Sequence, residues 1–302
     1  METDNLNIGS IFVYNDDIAY SISESEHTDS KSESLSYFFR WKDGWSKQEL
    51  QLEAVSIAVC EKPEIQVFII GNMGNLFRWG KNGFSPEVID ISEEGPQHYG
   101  NIRNTATIDG HVYVVGMGRT VYKNDDVGSW IRHDYDIRDA EGSVGFNAIG
   151  GYQEDELYAV GFDGEIFYYN GNKWNQVKSP TKLILNAVVC TPNSKVYACG
   201  QNGTLLFGRY DKWEIINQKV VTDTFLSAVW FLDKLYLSTS KGLFQYTEAQ
   251  GMKEVTKLPE NELIPGASFN VLSCSENWLW SAGRKLIMRT KDGKHWEKVS
   301  IS

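Results

Sequence analysis

Residues 157–177 read LYAVGFDGEIFYYNGNKWNQV. Aromatic and β-branched side chains fill three short runs, and glycine-bearing turns separate them, so the stretch reads as strand, turn, strand, turn, strand. The first run, an aromatic strand ending in glycine, returns along the chain. It stands as VFIIG (67–71), VYVVG (112–116), LYAVG (157–161), VYACG (196–200) and LWSAG (279–283), and in worn form as LYLST (235–239). A closing position follows each run and is also present before the first. It is Trp45, Phe84, Trp130, Trp174, Trp213, Met252 and Trp296, spaced 39 to 46 residues apart. Seven units of about 43 residues therefore account for the chain.

Each unit divides into four strands, A to D. The fifth is the clearest: Leu185–Cys190, Lys195–Gly200, Thr204–Gly208 and Trp213–Asn217, broken by TPNSK, QNG and RYDK. A four-stranded repeat of this length cannot bury both faces alone, and radial stacking of such sheets does so. The expected fold is all-β: one seven-bladed β-propeller of four antiparallel strands per blade. Its blades fall near 8–51, 52–92, 99–136, 144–179, 183–220, 224–258 and 267–302, in a single domain over 1–302. Glycine at the turns supplies positive φ, and the recurring tryptophans pack between neighbouring sheets. Blade 1 carries a polar segment, ESEHTDSKSE (24–33), read as a mobile insertion. Blade 6, with Ser238, Thr239 and Met252 at the anchor positions, is the most divergent.

The repeat resembles a degenerate Asp-box propeller, the type shared by sialidase-like and photosystem II assembly-factor-like proteins. The resemblance rests on Thr290, Asp292, Gly293 and Trp296, one residue shorter than that family's box, with weaker echoes at Lys42-Asp43-Gly44-Trp45, Asp126 to Trp130 and Asn170 to Trp174. In that family the box is a turn-and-packing device, so the resemblance implies no catalytic residue. The Trp-Asp ending of WD40 repeats and the paired glycines of kelch repeats are missing.

The chain has 302 residues, 41% hydrophobic and 13% aromatic, enough for a large core. Its net charge of −11 and pI near 5.0 disfavour nucleic acid and anionic membrane and favour a basic partner. METDNLNIGS shows neither the basic region nor the apolar run of a secretion leader, so a cytoplasmic, bacterial setting is expected. Cys60, Cys190, Cys199 and Cys274 form no CxxC pair and read as buried free thiols. The five histidines lack metal-ligand spacing, although His98 and His133 lie on successive loops. No metal and no cofactor are expected.

In an antiparallel blade the D–A loops and B–C turns share one face. The D–A loops here are the longer and the richer in chemistry, and loops on a rigid scaffold are where binding concentrates. They include DISEEGPQHYG (90–100) and HDYDIRDAEGSVGF (133–146). The expected partner surface comprises Glu93, Glu94, His98, Tyr99, Asp134, Tyr135, Asp136, Asp139, Glu141 and Phe146. Acids there would speed encounter and aromatics would anchor; Asp90, Glu260 and Glu262 add to the charge. A polar residue opens strand A in blades 3 to 7, at Asn101, Asn147, Asn186, Ser227 and Asn270, and would line the mouth of the central channel.

Hydrolase, zincin and P-loop motifs are missing, and no arginine cluster of sialidase type can be assembled. The favoured function is therefore binding without catalysis: a cytoplasmic monomer that engages a basic protein, in the specific version a toxin neutralised by its immunity protein. A carbohydrate- or small-ligand-binding propeller, and a hydrolase or lyase with its site at the channel mouth, are the alternatives.

Overall fold

The computed structural model describes residues 7–24, 35–139, 143–255 and 267–301. The ESEHTDSKSE segment falls almost wholly outside them, as do Glu141, Glu260 and Glu262. Seven four-stranded antiparallel sheets occur, each made of four consecutive strands. The fold is a seven-bladed β-propeller. Blade 5 has Leu185–Cys190, Val196–Gly200, Leu205–Arg209 and Lys212–Ile215, within about two residues of the sequence reading.

The chain forms two compact units. One holds blade 1 (Ile8–Val13, Ala19–Glu24, Ser36–Trp41, Trp45–Leu50), blade 6 (Ser227–Phe231 to Gly251–Glu254) and blade 7 (Val271–Cys274 to Glu297–Lys298). The other, Val55–Asn217, holds blades 2 to 5.

Inside both units the aromatic of strand B is the pivot of the core. Phe68, Tyr113, Tyr158, Tyr197, Tyr236 and Trp280 are all buried. The closing aromatic of the next blade's strand D reaches across to it: Trp130 meets Phe68 edge-on at 5.3 Å and Trp213 meets Tyr158 at 6.1 Å. Trp174 joins Tyr113 in one cluster, and Trp296 packs on the cluster that holds Tyr236. The closing tryptophans are thus inter-blade wedges, large areas removed from water by the neighbouring sheet.

The glycine ending strand B has a different reason from the one its turn position implies. Gly161 has a φ of −174°, extended backbone open to any residue. A Cβ on it would overlap the carbonyl oxygen of Gly145, where the incoming loop crosses to begin strand A. Gly200 meets Ile184 in the same way. Close approach, rather than positive φ, requires glycine there. Gly164, two residues into the turn, does sit at positive φ.

The turn before Trp296 is held by two side chains. Thr290 Oγ1 accepts the N–H groups of Asp292 and Gly293 at 3.3 and 3.0 Å. Asp292 Oδ1 accepts those of Lys294 and His295 at 2.8 Å each. These N–H donors, joined by the His295 ring, hold the Asp292 carboxyl far below its ordinary range. The four cysteines are free. Burial pushes the Cys190 and Cys199 thiols up to about 12, so they pack as small apolar groups.

Candidate partner-binding surface

In the unit of blades 2 to 5 the D–A loops and B–C turns meet, as the antiparallel geometry requires. Asn72 O accepts the N–H of Ile102 at 2.7 Å, and the Met117 N–H donates to Asn101 O at 2.9 Å. The Gly118 N–H donates to Val144 O at 2.7 Å, and Gly118 O accepts the Asp139 N–H at 2.9 Å. Backbone bonds therefore tie both long loops to the turns beneath them, and their conformations follow from the blades.

Within the first loop, Asp90 Oδ1 accepts the Ser92 N–H at 2.8 Å, and a one-turn helix, Pro96–Tyr99, follows Gly95. Tyr122 of strand C in blade 3 donates its hydroxyl to Asp90 Oδ2 at 2.8 Å. Burial raises the Asp90 carboxyl, but the bonds from Ser92 and Tyr122 outweigh that and hold it below its usual range.

Arginines join the two loops. Arg132 pairs with Glu94, and its Nε also contacts Asp134 Oδ1 at 3.2 Å. Arg138 approaches Asp134 Oδ2 at 3.5 Å and Glu94 at 3.8 Å, and lies 4.1 Å over the Tyr99 ring. Asp134 Oδ2 also accepts the Val121 N–H at 3.1 Å. On the next turn, Arg119 forks onto Glu165 at 3.0 and 2.6 Å and donates to Ile137 O at 3.2 Å. The Glu165 bond drives the Arg119 guanidinium above its usual range. Bidentate pairs of this kind fix geometry as well as charge.

This network corrects the expected acidic landing surface. Asp134 and Phe146 are fully buried, so neither presents anything to a partner. Asp134 is the internal counter-ion of two arginines, and Phe146 packs on Phe167 and Trp174. Asp139 spends its carboxylate within its own loop, accepting the N–H groups of Ser143 and Val144. Glu94 is exposed but paired, and Tyr99 is half-covered by Arg138. Glu93, His98, Tyr135 and Asp136 remain exposed; Glu141 lies outside the described residues. His98 and His133 form no joint site. His98 is exposed on the short helix, whereas the His133 ring sits 4.6 Å from that of Tyr169 and near Tyr113 and Trp174. Burial depresses the His133 pKa, with the charge of Lys123 adding to it.

The polar residues that open strand A serve mainly as latches between blades. Asn147 Nδ2 donates to Leu185 O at 3.1 Å and lies 3.4 Å from Asn186 Oδ1, while its Oδ1 accepts from Arg103 at 3.3 Å. Ser227 Oγ accepts the Leu272 N–H at 3.1 Å. Asn270 takes part through its backbone oxygen, which accepts from Ser238. Asn101 alone of the five is exposed. No cluster of three or more metal-ligating side chains occurs among the described residues.

Sequence reasoning missed the arginines. Arg132 and Arg138 stand two and four residues from Asp134, a spacing that offered the signal. It also missed Ile91, which is 85% exposed in the first loop.

Fold and loops together define a β-propeller with one braced, loop-bearing face. Its architecture matches the WD40 β-propeller domain of Doa1 with a TM-score of 0.70 at 12% identity, over 96% of this chain and 95% of that one. YCF48 from Cyanidioschyzon merolae matches with a TM-score of 0.61 at 14% identity, over 83% and 87%. These likenesses show the fold alone. No family model matches. The immune protein Tsi7 of Pseudomonas aeruginosa strain PAO1 is 38% identical over 293 residues, 94% of each chain. The chain belongs to the Tsi7 immune-protein family.

Proposed function

We propose that this protein is an immunity protein that neutralises a toxin by binding it, without turnover, in the bacterial cytoplasm. The observation that carries this reading is the full-length relationship to an immune protein. The loop face of blades 2 to 4 supports it as the docking side, because its loops are long, varied and held in place by buried ion pairs. The exposed carboxylates Glu93 and Asp136 suit a basic toxin surface. The protein acts as a monomer and a single domain. Its repeat is of Asp-box type, a reading supported by the side-chain bonds of Thr290 and Asp292. The small-ligand alternative draws little from the strand A polar residues, since Asn147 and Ser227 spend their side chains on neighbouring backbone.

Co-expression with the toxin encoded beside its own gene tests the reading. The expected result is rescue of growth, a stoichiometric complex and a toxin of unchanged mass. Growth arrest despite co-expression, or a chemically altered toxin, overturns it.

A further inference from the structure

The exposed part of the braced loops is more apolar than their composition suggests. Ile91 is 85% and Tyr135 75% exposed. Of the unit's other exposed apolar residues, Val88, Ile131 and Ile215 lie on outer strands and Ile65, Val127 and Tyr210 at turns of the opposite face, while Met73, 40% exposed, shares the face but sits on the B–C turn of blade 2. Ile91 and Tyr135 instead sit on the two loops that the arginines join. Both are held from below. Asp90, adjacent to Ile91, accepts the Tyr122 hydroxyl, and Arg138 donates to that same hydroxyl at 3.5 Å. The Arg132 guanidinium lies 5.0 Å from the Tyr135 ring centre while it pairs with Glu94 of the other loop. Two large side chains kept in water on stiff loops bind at low entropic cost. Beside them stand Glu93 and Asp136, which make no ion pair among the described residues.

We propose that Ile91 and Tyr135 are the apolar anchors of the toxin interface. Their occupant is a protein surface with an apolar recess rimmed by lysine or arginine, the basic groups facing Glu93 and Asp136. The network of buried Asp134 with the half-buried Arg132 and Arg138 positions the anchors and does not itself meet the toxin. Affinity then lies in apolar burial, with the free carboxylates acting on encounter rate. This rests on the toxin-neutralising reading.

Calorimetric titration against the purified toxin of the adjacent gene, inactivated by mutation, tests the assignment. Ile91→Asp and Tyr135→Ala are each expected to weaken binding about 30-fold or more, as interface hot spots do. Ile215→Asp, on an outer strand, is expected to bind as the wild type, and all three variants are expected to keep the wild-type melting temperature. Glu93→Lys with Asp136→Lys is expected to slow association several-fold and to flatten its salt dependence. Wild-type affinity in both anchor variants, or an equal loss in Ile215→Asp, overturns the anchors and leaves the toxin reading intact. Failure of the wild-type protein to bind overturns that reading and the anchors with it. Dimerisation of the free chain that Ile91→Asp abolishes overturns the proposal by assigning the surface to a second copy.

Discussion

Two seams between blades solve the same problem with opposite chemistry. Where blade 7 meets blade 1 the contact is aromatic and aliphatic. Trp41, Trp45 and Trp280 stand edge to face at 5.4 to 6.3 Å, over a cluster that includes Ile8, Ile11, Val13, Ile287 and Ile301. Arg289 lies over the rings of Trp41, Trp278 and Trp280 at 5.4, 4.2 and 5.3 Å. Above blades 2 to 4 the join is ionic, through Arg119 to Glu165 and through Arg132 and Arg138 to Asp134 and Glu94. Apolar packing is tolerant of detail and strong in sum. Buried ion pairs add little net stability but impose one geometry, because every partner is needed. The first seam holds the fold, and the second holds the shape of a surface.

That contrast can be broken at either end. Trp280→Ala should be the most damaging single change, costing about 4 kcal/mol through a cavity in the apolar seam; denaturant unfolding measures it, and toxin affinity of the surviving folded protein should stay unchanged. Asp134→Ala leaves two arginines without their shared counter-ion and should cost about 3 kcal/mol. Unlike Trp280→Ala it should also weaken toxin binding, read by titration of the folded fraction. Arg119→Ala should cost about 2 kcal/mol, the scale of charged hydrogen bonds, with faster hydrogen exchange centred on 133–139, where its Ile137 bond is lost.

A pH effect follows from His133. Its folded pKa is depressed, so below the ordinary value near 6.5 the unfolded chain binds the proton more readily than the folded one. Stability is full above that pH and falls as pH drops through it. Melting temperature measured from pH 8 to 5 should decline on the acid side, and His133→Phe should flatten the decline. The smallest effect belongs to Asp292→Ala on the exposed turn. A slight drop in melting temperature is expected, largely restored in Asp292→Asn, which keeps the acceptor for Lys294 and His295.

The architecture was legible because it repeats. Strand B aromatics, terminal glycines and closing tryptophans recur at near-constant spacing, and each recurrence supports the others. The reason for Gly161 was not legible, since a close backbone approach leaves the same residue as a positive φ. The loops were harder still. Acid content pointed to the right segments, but charge in a sequence does not show whether a carboxylate faces water or an arginine. Asp134 and Asp136, two residues apart, took opposite answers. The role of the arginines was hidden because Arg132 and Arg138 meet on Asp134 and Glu94 only once the loop backbone is folded, and Arg119 finds Glu165 on the next blade. The Ile91 side chain carried no periodic signal, being single and outside any strand.

The apolar seam also orders events in time. All seven sheets can pair locally as the chain is synthesised, since every blade uses four consecutive strands. The seam joins blade 1 to blade 7: the Val13 N–H bonds to Ser273 Oγ across 260 positions, and Asp16 takes bonds from Ser275 and Asn277. Until blade 7 leaves the ribosome, Ile8, Ile11 and Val13 have no cover from Trp280 and Ile287. Blade 1 therefore keeps apolar surface uncovered while blades 2 to 6 are made, and its burial waits on the last repeat rather than on its neighbour in sequence.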